Sequence, residues 1–135
     1  VSDDRPDLTV LDEGECWRLL DSVAVGRVAM EATEGLVVVP VNFVVDSGEV
    51  VFRTTEGGLL GRAADWGRPV AFQADSFDEK LRTGWSVLVR GDLRRVPEDQ
   101  AAVLVELVAP WASGERNVVG RVTPSMVSGR RIGDA

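Results

Sequence analysis

Histidine and tyrosine occur nowhere in the 135 residues, and cysteine occurs once. The first absence removes Ser-His and Cys-His nucleophile pairs, histidine metal ligands and histidine proton shuttles. The second removes a phenolic acid. A single thiol, Cys16, closes no internal disulfide and supports no multi-cysteine metal site. Cations are outnumbered: 15 Lys and Arg against 22 Asp and Glu leave a net charge of -7, with no basic field for a nucleic-acid backbone. No apolar run reaches the length of a membrane span, and the polar opening Val1-Ser2-Asp3-Asp4-Arg5 is unlike a secretory leader. The expected setting is therefore cytoplasmic, with neither nucleic acid nor membrane as partner.

Hydrophobic residues at 44% and charged ones at 27% describe a globular chain long enough to bury a core. The expected organisation is a flexible arm over residues 1–10 and one domain over 11–135. That domain centres on Leu36-Val37-Val38-Val39-Pro40-Val41-Asn42-Phe43-Val44-Val45, the turn Asp46-Ser47-Gly48, and Glu49-Val50-Val51-Phe52-Arg53-Thr54-Thr55. Two β-rich segments joined at a Ser-Gly turn predict an antiparallel hairpin. In its first strand the odd positions are uniformly apolar, while Pro40 and Asn42 interrupt the even ones. A proline in a strand belongs at an edge, an irregularity, or a place where another group approaches. The second strand runs into Arg53-Thr54-Thr55-Glu56-Gly57-Gly58 ahead of a helical stretch. Hydroxyls, glycine amides and a helix start suit an anionic oxygen cluster such as a phosphate. An ordinary strand end, turn and helix cap fits the same residues.

Elsewhere, Asp12 and Glu15 resemble a capping box ahead of a helix over 13–22, with Cys16 on its buried face. No neighbour in the sequence would activate that thiol, so it reads as core. Strands are predicted over 24–31 and 70–75, followed by an acidic solvent-facing loop over 75–81 and a long strand over 83–96 that bends at Gly91. Helices are predicted over 59–66 and 97–108, and two short strands near 118–123 and 126–132. Trp111 reads as a packed surface tryptophan or a lid over a pocket, and Arg90 and Arg94 as a solvated strand face. The sum is a mainly β (α+β) chain, a small closed barrel with peripheral helices.

The ordered series Cys16-Trp17-Arg18-Leu19-Leu20, Val25-Gly26-Arg27-Val28, Pro40-Val41-Asn42-Phe43-Val44-Val45-Asp46, Val51-Phe52-Arg53-Thr54 and Gly84-Trp85-Ser86-Val87-Leu88-Val89-Arg90-Gly91 resembles the pyridoxamine 5'-phosphate oxidase-like family of FMN-binding split barrels, in particular its small actinobacterial branch. The resemblance implies a six-stranded split β-barrel, a homodimer with the cofactor groove at the subunit interface, and a flavin (FMN)-binding oxidoreductase-type protein acting on a small-molecule substrate. By position it places Val39, Pro40, Val41 and Asn42 along the flavin ring and Arg53, Thr54 and Thr55 beside the ribityl phosphate. Gly58 and Leu59 fall where many members carry a phosphate-binding cation, and Trp85 and Ser86 on a strand that supplies a flavin contact. Leu59 departs from that pattern, since it removes a charge-assisted contact. The stretch Arg116-Asn117-Val118-Val119-Gly120-Arg121 lacks the histidine with which vitamin-oxidising members grip substrate phosphate. The same groove suits a deazaflavin coenzyme, and a non-catalytic ligand-binding split-barrel dimer without cofactor is the rival from another class. No catalytic side chain and no metal site is assigned.

Overall fold

Alternation at period two decides which side of each strand faces inward. In the strand Thr83–Arg95, Val87, Val89 and Leu93 are sealed from solvent while Arg90, Asp92 and Arg94 are exposed. The same rule holds through the computed structural model, in which residues 5, 7–112 and 114–133 are described. The elements in order are β1 (Leu8–Leu11), α1 (Glu13–Leu20), β2 (Val25–Ala32), β3 (Gly35–Asp46), β4 (Glu49–Thr54), α2 (Leu59–Trp66), β5 (Pro69–Asp78), β6 (Thr83–Arg95), α3 (Glu98–Leu107) and β7 (Val118–Ile132). They form one seven-stranded antiparallel sheet in the order β1-β7-β4-β3-β2-β5-β6, and β6 also pairs β7. That extra pairing closes β2 to β7 into a barrel, with β1 laid along the end of β7.

Four boundaries differ from those read in the sequence. Leu8–Val10, expected within a flexible arm, are strand: Leu8 opposes Ile132 and Leu11 opposes Gly129; the rest of that arm, residues 1–4 and 6, lies outside the described residues. The helix expected to reach Ser22 stops at Leu20, where the Ser22 hydroxyl donates to the Leu19 carbonyl and turns the chain. The expected acidic loop begins later, because β5 continues paired as far as Asp78 opposite Thr83. The two short strands near the end are one, β7, and Ser125 is the residue it carries in excess: Arg90 opposes Met126 but Gly91 opposes Pro124. A bulge absorbs the proline that would otherwise break the ladder. Gly91 is required there, since a side chain would begin 2.0 Å from the Thr123 carbonyl oxygen.

The barrel is filled from both sides. Phe72 is fully buried and meets the Phe43 ring edge to face at a centroid distance of 4.8 Å. A smaller apolar cluster, Val51, Val96, Ala101, Leu104, Val108 and Val119, lies beneath α3. At the start of α1 the Asp12 carboxylate accepts the Glu15 N–H at 2.8 Å, which is one half of the capping box. The Glu15 carboxylate turns away to Arg18 and Arg131 and ties α1 to β7.

Cys16 is wholly buried on the inner face of α1, against Gly129 of β7. Burial, followed by the nearby Asp12 and Glu13 carboxylates, pushes its thiol above the ordinary value of 9.0. A raised pKa means the folded state holds the proton more tightly than the unfolded chain. This contribution to stability is complete below the unfolded thiol's pKa and is lost as pH rises through the folded one. Urea midpoints measured from pH 7 to 10.5 are expected to fall at the alkaline end, and Cys16→Ala is expected to flatten that fall. Maleimide labelling of the native protein at pH 7.5 is expected to proceed only at the rate of unfolding.

Candidate functional site

The register of the central hairpin creates the site. Pairing between β3 and β4 runs from Asp46–Glu49 only as far as Phe43–Phe52. Beyond that point β3 continues on β2 alone, with Pro40 opposite Arg27, while Arg53 and Thr54 pair with Val119 and Val118 of β7. The two strands part, and Pro40 sits where no ladder on the β4 side needs its missing N–H. The wedge between them is a cleft of about 200 Å³. Val39, Pro40, Val41 and Asn42 form one wall and Arg53, Thr54 and Thr55 the other. Leu60 of α2 forms its end. These seven β-hairpin residues, picked out from the sequence for the ring and the phosphate, are therefore brought together.

A third wall was not legible in the sequence. Val108, Pro110, Ala112 and Arg116, from the segment joining α3 to β7, cover the cleft. Two cleft residues hold that segment. The Asn42 side-chain oxygen accepts the Trp111 backbone N–H at 2.9 Å. Arg53, half-buried, donates from Nε to the Arg116 carbonyl (2.9 Å) and from Nη1 to the carbonyls of Val105 (3.3 Å) and Val108 (3.1 Å). A guanidinium here answers the unpaired carbonyls at the end of α3, a helix with no glycine cap. Its Nη2 makes no hydrogen bond among the described residues, so that one nitrogen remains for a ligand. Trp111 is not packed: its backbone is tethered to Asn42, and its side chain is 76% exposed.

The phosphate-suited features also meet here. The Thr54 and Thr55 hydroxyls make no hydrogen bond among the described residues, and α2 begins at Gly58 without a side-chain cap. Its first backbone N–H groups donate to no group among the described residues, and the helix dipole favours an anion near them. Gly58 packs on Thr55: a Cβ there would lie 2.7 Å from the threonine hydroxyl oxygen. The loop between is held by Arg95, which donates to both Glu56 carboxylate oxygens at 2.8 Å. These hydrogen bonds hold the Glu56 carboxyl below the ordinary range.

The other sequence-predicted positions lie elsewhere in one chain. Leu59 faces a second hollow against α2, lined also by Met30 and Trp66. Trp85 is 6% exposed within the core, and Ser86 points outward between Asp75 of β5 and Arg130 of β7. None of these three borders the cleft.

The ring-closed antiparallel sheet parted between β3 and β4 defines a split β-barrel. Its sequence matches the Pyridoxamine 5'-phosphate oxidase family over residues 12–131, and the chain belongs to that family. It is 38% identical over 127 residues to the uncharacterized protein Rv0080 of Mycobacterium tuberculosis, a match covering 90% of this chain and 84% of that protein. Among solved structures it is similar to the FAD binding protein from Mycobacterium smegmatis, at 37% identity and TM-score 0.77, covering 92% of this chain and 98% of the other. It is also similar to the conserved protein of unknown function DIP1874 from Corynebacterium diphtheriae, at 30% identity and TM-score 0.73, covering 93% and 98%. No helix among the described residues is long and apolar enough to cross a membrane.

Proposed function

We propose that the chain is a flavin-binding protein of the oxidoreductase type that works as a homodimer. The observation that carries this is the convergence at the split of unclaimed hydroxyls on Thr54 and Thr55, the unclaimed Nη2 of Arg53 and the start of α2 with no side-chain cap, facing the apolar strand Val39–Val41. One end of the cleft suits a phosphate and the other a flat apolar ring. FAD binding by the M. smegmatis relative supports the cofactor class. The bound flavin would supply the hydride or electron chemistry. The protein's residues hold and orient it: Thr54, Thr55 and the α2 amides at the phosphate, Asn42 as a polar group at the ring edge, and the 108–112 wall against water. With no histidine or tyrosine in the chain, no side chain of that kind relays a proton to the cleft.

The cleft of one chain is smaller than the roughly 300–1,000 Å³ that ligand pockets usually enclose. A second copy would complete it. Leu36 and Val38, on β3 beside the cleft, are 85% and 65% exposed, which supports that face as the subunit interface.

Thr54→Ala, Thr55→Ala together are expected to weaken FMN binding by about 10- to 100-fold, from the loss of two hydrogen bonds to a charged group. Flavin absorbance and fluorescence titration of the wild type and the double variant measure this. Unchanged affinity would remove the phosphate site. Tight binding of a deazaflavin with no response to FMN would shift the cofactor class within the same cleft.

A further inference from the structure

The hollow against α2 encloses about 200 Å³. Gly61 presses its backbone on the Thr55 carbonyl, where a Cβ would lie 2.5 Å from the oxygen, and this fixes which side of the helix meets the end of β4. Leu59, Arg62, Ala63 and Trp66 recur at i, i+3, i+4 and i+7, on the stripe turned away from Gly61, and they line the hollow. The β2–β3 hairpin supplies Glu31, near the end of β2, and Glu34, in the turn.

Charges of both signs line this space without meeting. Arg62, Glu31 and Glu34 make no ion pair and no side-chain hydrogen bond among the described residues, although the helix brings the cation and the hairpin the carboxylates to one hollow. Elsewhere in the chain such groups do pair, as Arg95 with Glu56 and Arg121 with Glu49. A separated cation and anion are matched best by a molecule carrying both charges, because an anion alone is repelled by the glutamates and a cation alone by Arg62. A carboxylate accepts two N–H bonds from a guanidinium fork, and an ammonium donates to carboxylate oxygens. The rest of the lining that α2 supplies is apolar. Leu59 and Ala63 continue into Trp66, which is 75% exposed, with the Arg68 guanidinium over its ring at 5.5 Å. That contact orients the indole and leaves a flat surface for an aromatic side chain.

We propose that this hollow binds a free aromatic α-amino acid, with its carboxylate on Arg62, its ammonium on Glu31 and Glu34, and its ring against Trp66. The site shares no lining residue with the cleft and is independent of the flavin.

The test is calorimetric titration of the full chain with L-phenylalanine, and with three analogues that each lack one feature: phenethylamine has no carboxylate, phenylacetate no ammonium, and glycine no ring. Phenylalanine is expected to saturate one site per chain, and each analogue to bind about tenfold more weakly. Arg62→Gln is expected to lower phenylalanine to the level of phenethylamine, the paired change Glu31→Gln, Glu34→Gln to that of phenylacetate, and Trp66→Ala to that of glycine. All four side chains are exposed, so none of these changes disturbs the core. Absence of saturable phenylalanine binding would overturn the site. So would analogues that bind as tightly as phenylalanine, or binding that Arg62→Gln leaves unchanged.

Discussion

Phe72→Ala is expected to destabilise the fold by about 3–5 kcal/mol, a large fraction of the roughly 5–15 kcal/mol that holds a domain of this size together. The ring is fully buried, and it fills the space between Phe43 and the backbone of β2. There, a Cβ on Gly26 would lie 2.3 Å from the Phe72 ring. The two positions are therefore halves of one fit. Gly26→Ala alone is expected to cost about 1–3 kcal/mol by overpacking. In the Phe72→Ala background the added methyl enters the space the ring vacated, and its cost is expected to vanish or reverse. Urea unfolding of the wild type, both single variants and the double variant closes this cycle. Additive losses would show that the glycine is required by something other than the ring.

The second large effect is expected at Arg53. Arg53→Gln removes the donors from the carbonyls of Val105, Val108 and Arg116, and costs about 3 kcal/mol if they lose their partners without gaining water. It also removes the unclaimed Nη2 from the cleft. Flavin affinity and the stability of α3 are therefore expected to fall together. Arg53→Lys keeps the charge but not the planar fork, and is expected to recover little of either. Hydrogen exchange is the appropriate measurement, because it separates α3 from the barrel: faster exchange over 98–108 with β5 and β6 unchanged is the expected pattern. Wild-type exchange in α3 together with wild-type flavin affinity would sink the bridging role.

The strands and helices of this chain follow from local pattern. Period-two alternation in β2, β5 and β6 identifies their inner faces, and Gly67 and Pro69 mark the end of α2. Gly91 marks the bend because a close backbone approach tolerates no side chain. The hairpin half of the cleft was legible for a related reason: an interrupting proline and a hydroxyl-glycine run are both departures from a strand's usual chemistry. β1 was not legible, since its four residues are largely exposed and take their order from a partner more than a hundred positions away. The third wall over 108–116 carries no periodicity, and what holds it in place is Arg53 and Asn42, residues distant in sequence. Trp85 and Ser86 lie on β6 and do not line the cleft of this chain, and a pattern that identifies a strand does not say which of its residues reach a given hollow.

β7 pairs with β1, β4 and β6, and without it the sheet is an open curved strip. On the ribosome it follows every other strand of the barrel. Until it is made, β4 and β6 present long unpaired edges, and the apolar faces of Val87, Val89 and Phe52 have no lid. The nascent barrel thus passes through a sticky, strand-donating stage that ends only when β7 docks between the other two. Conditions that slow that docking are where a chaperone's help, or aggregation, will be decided.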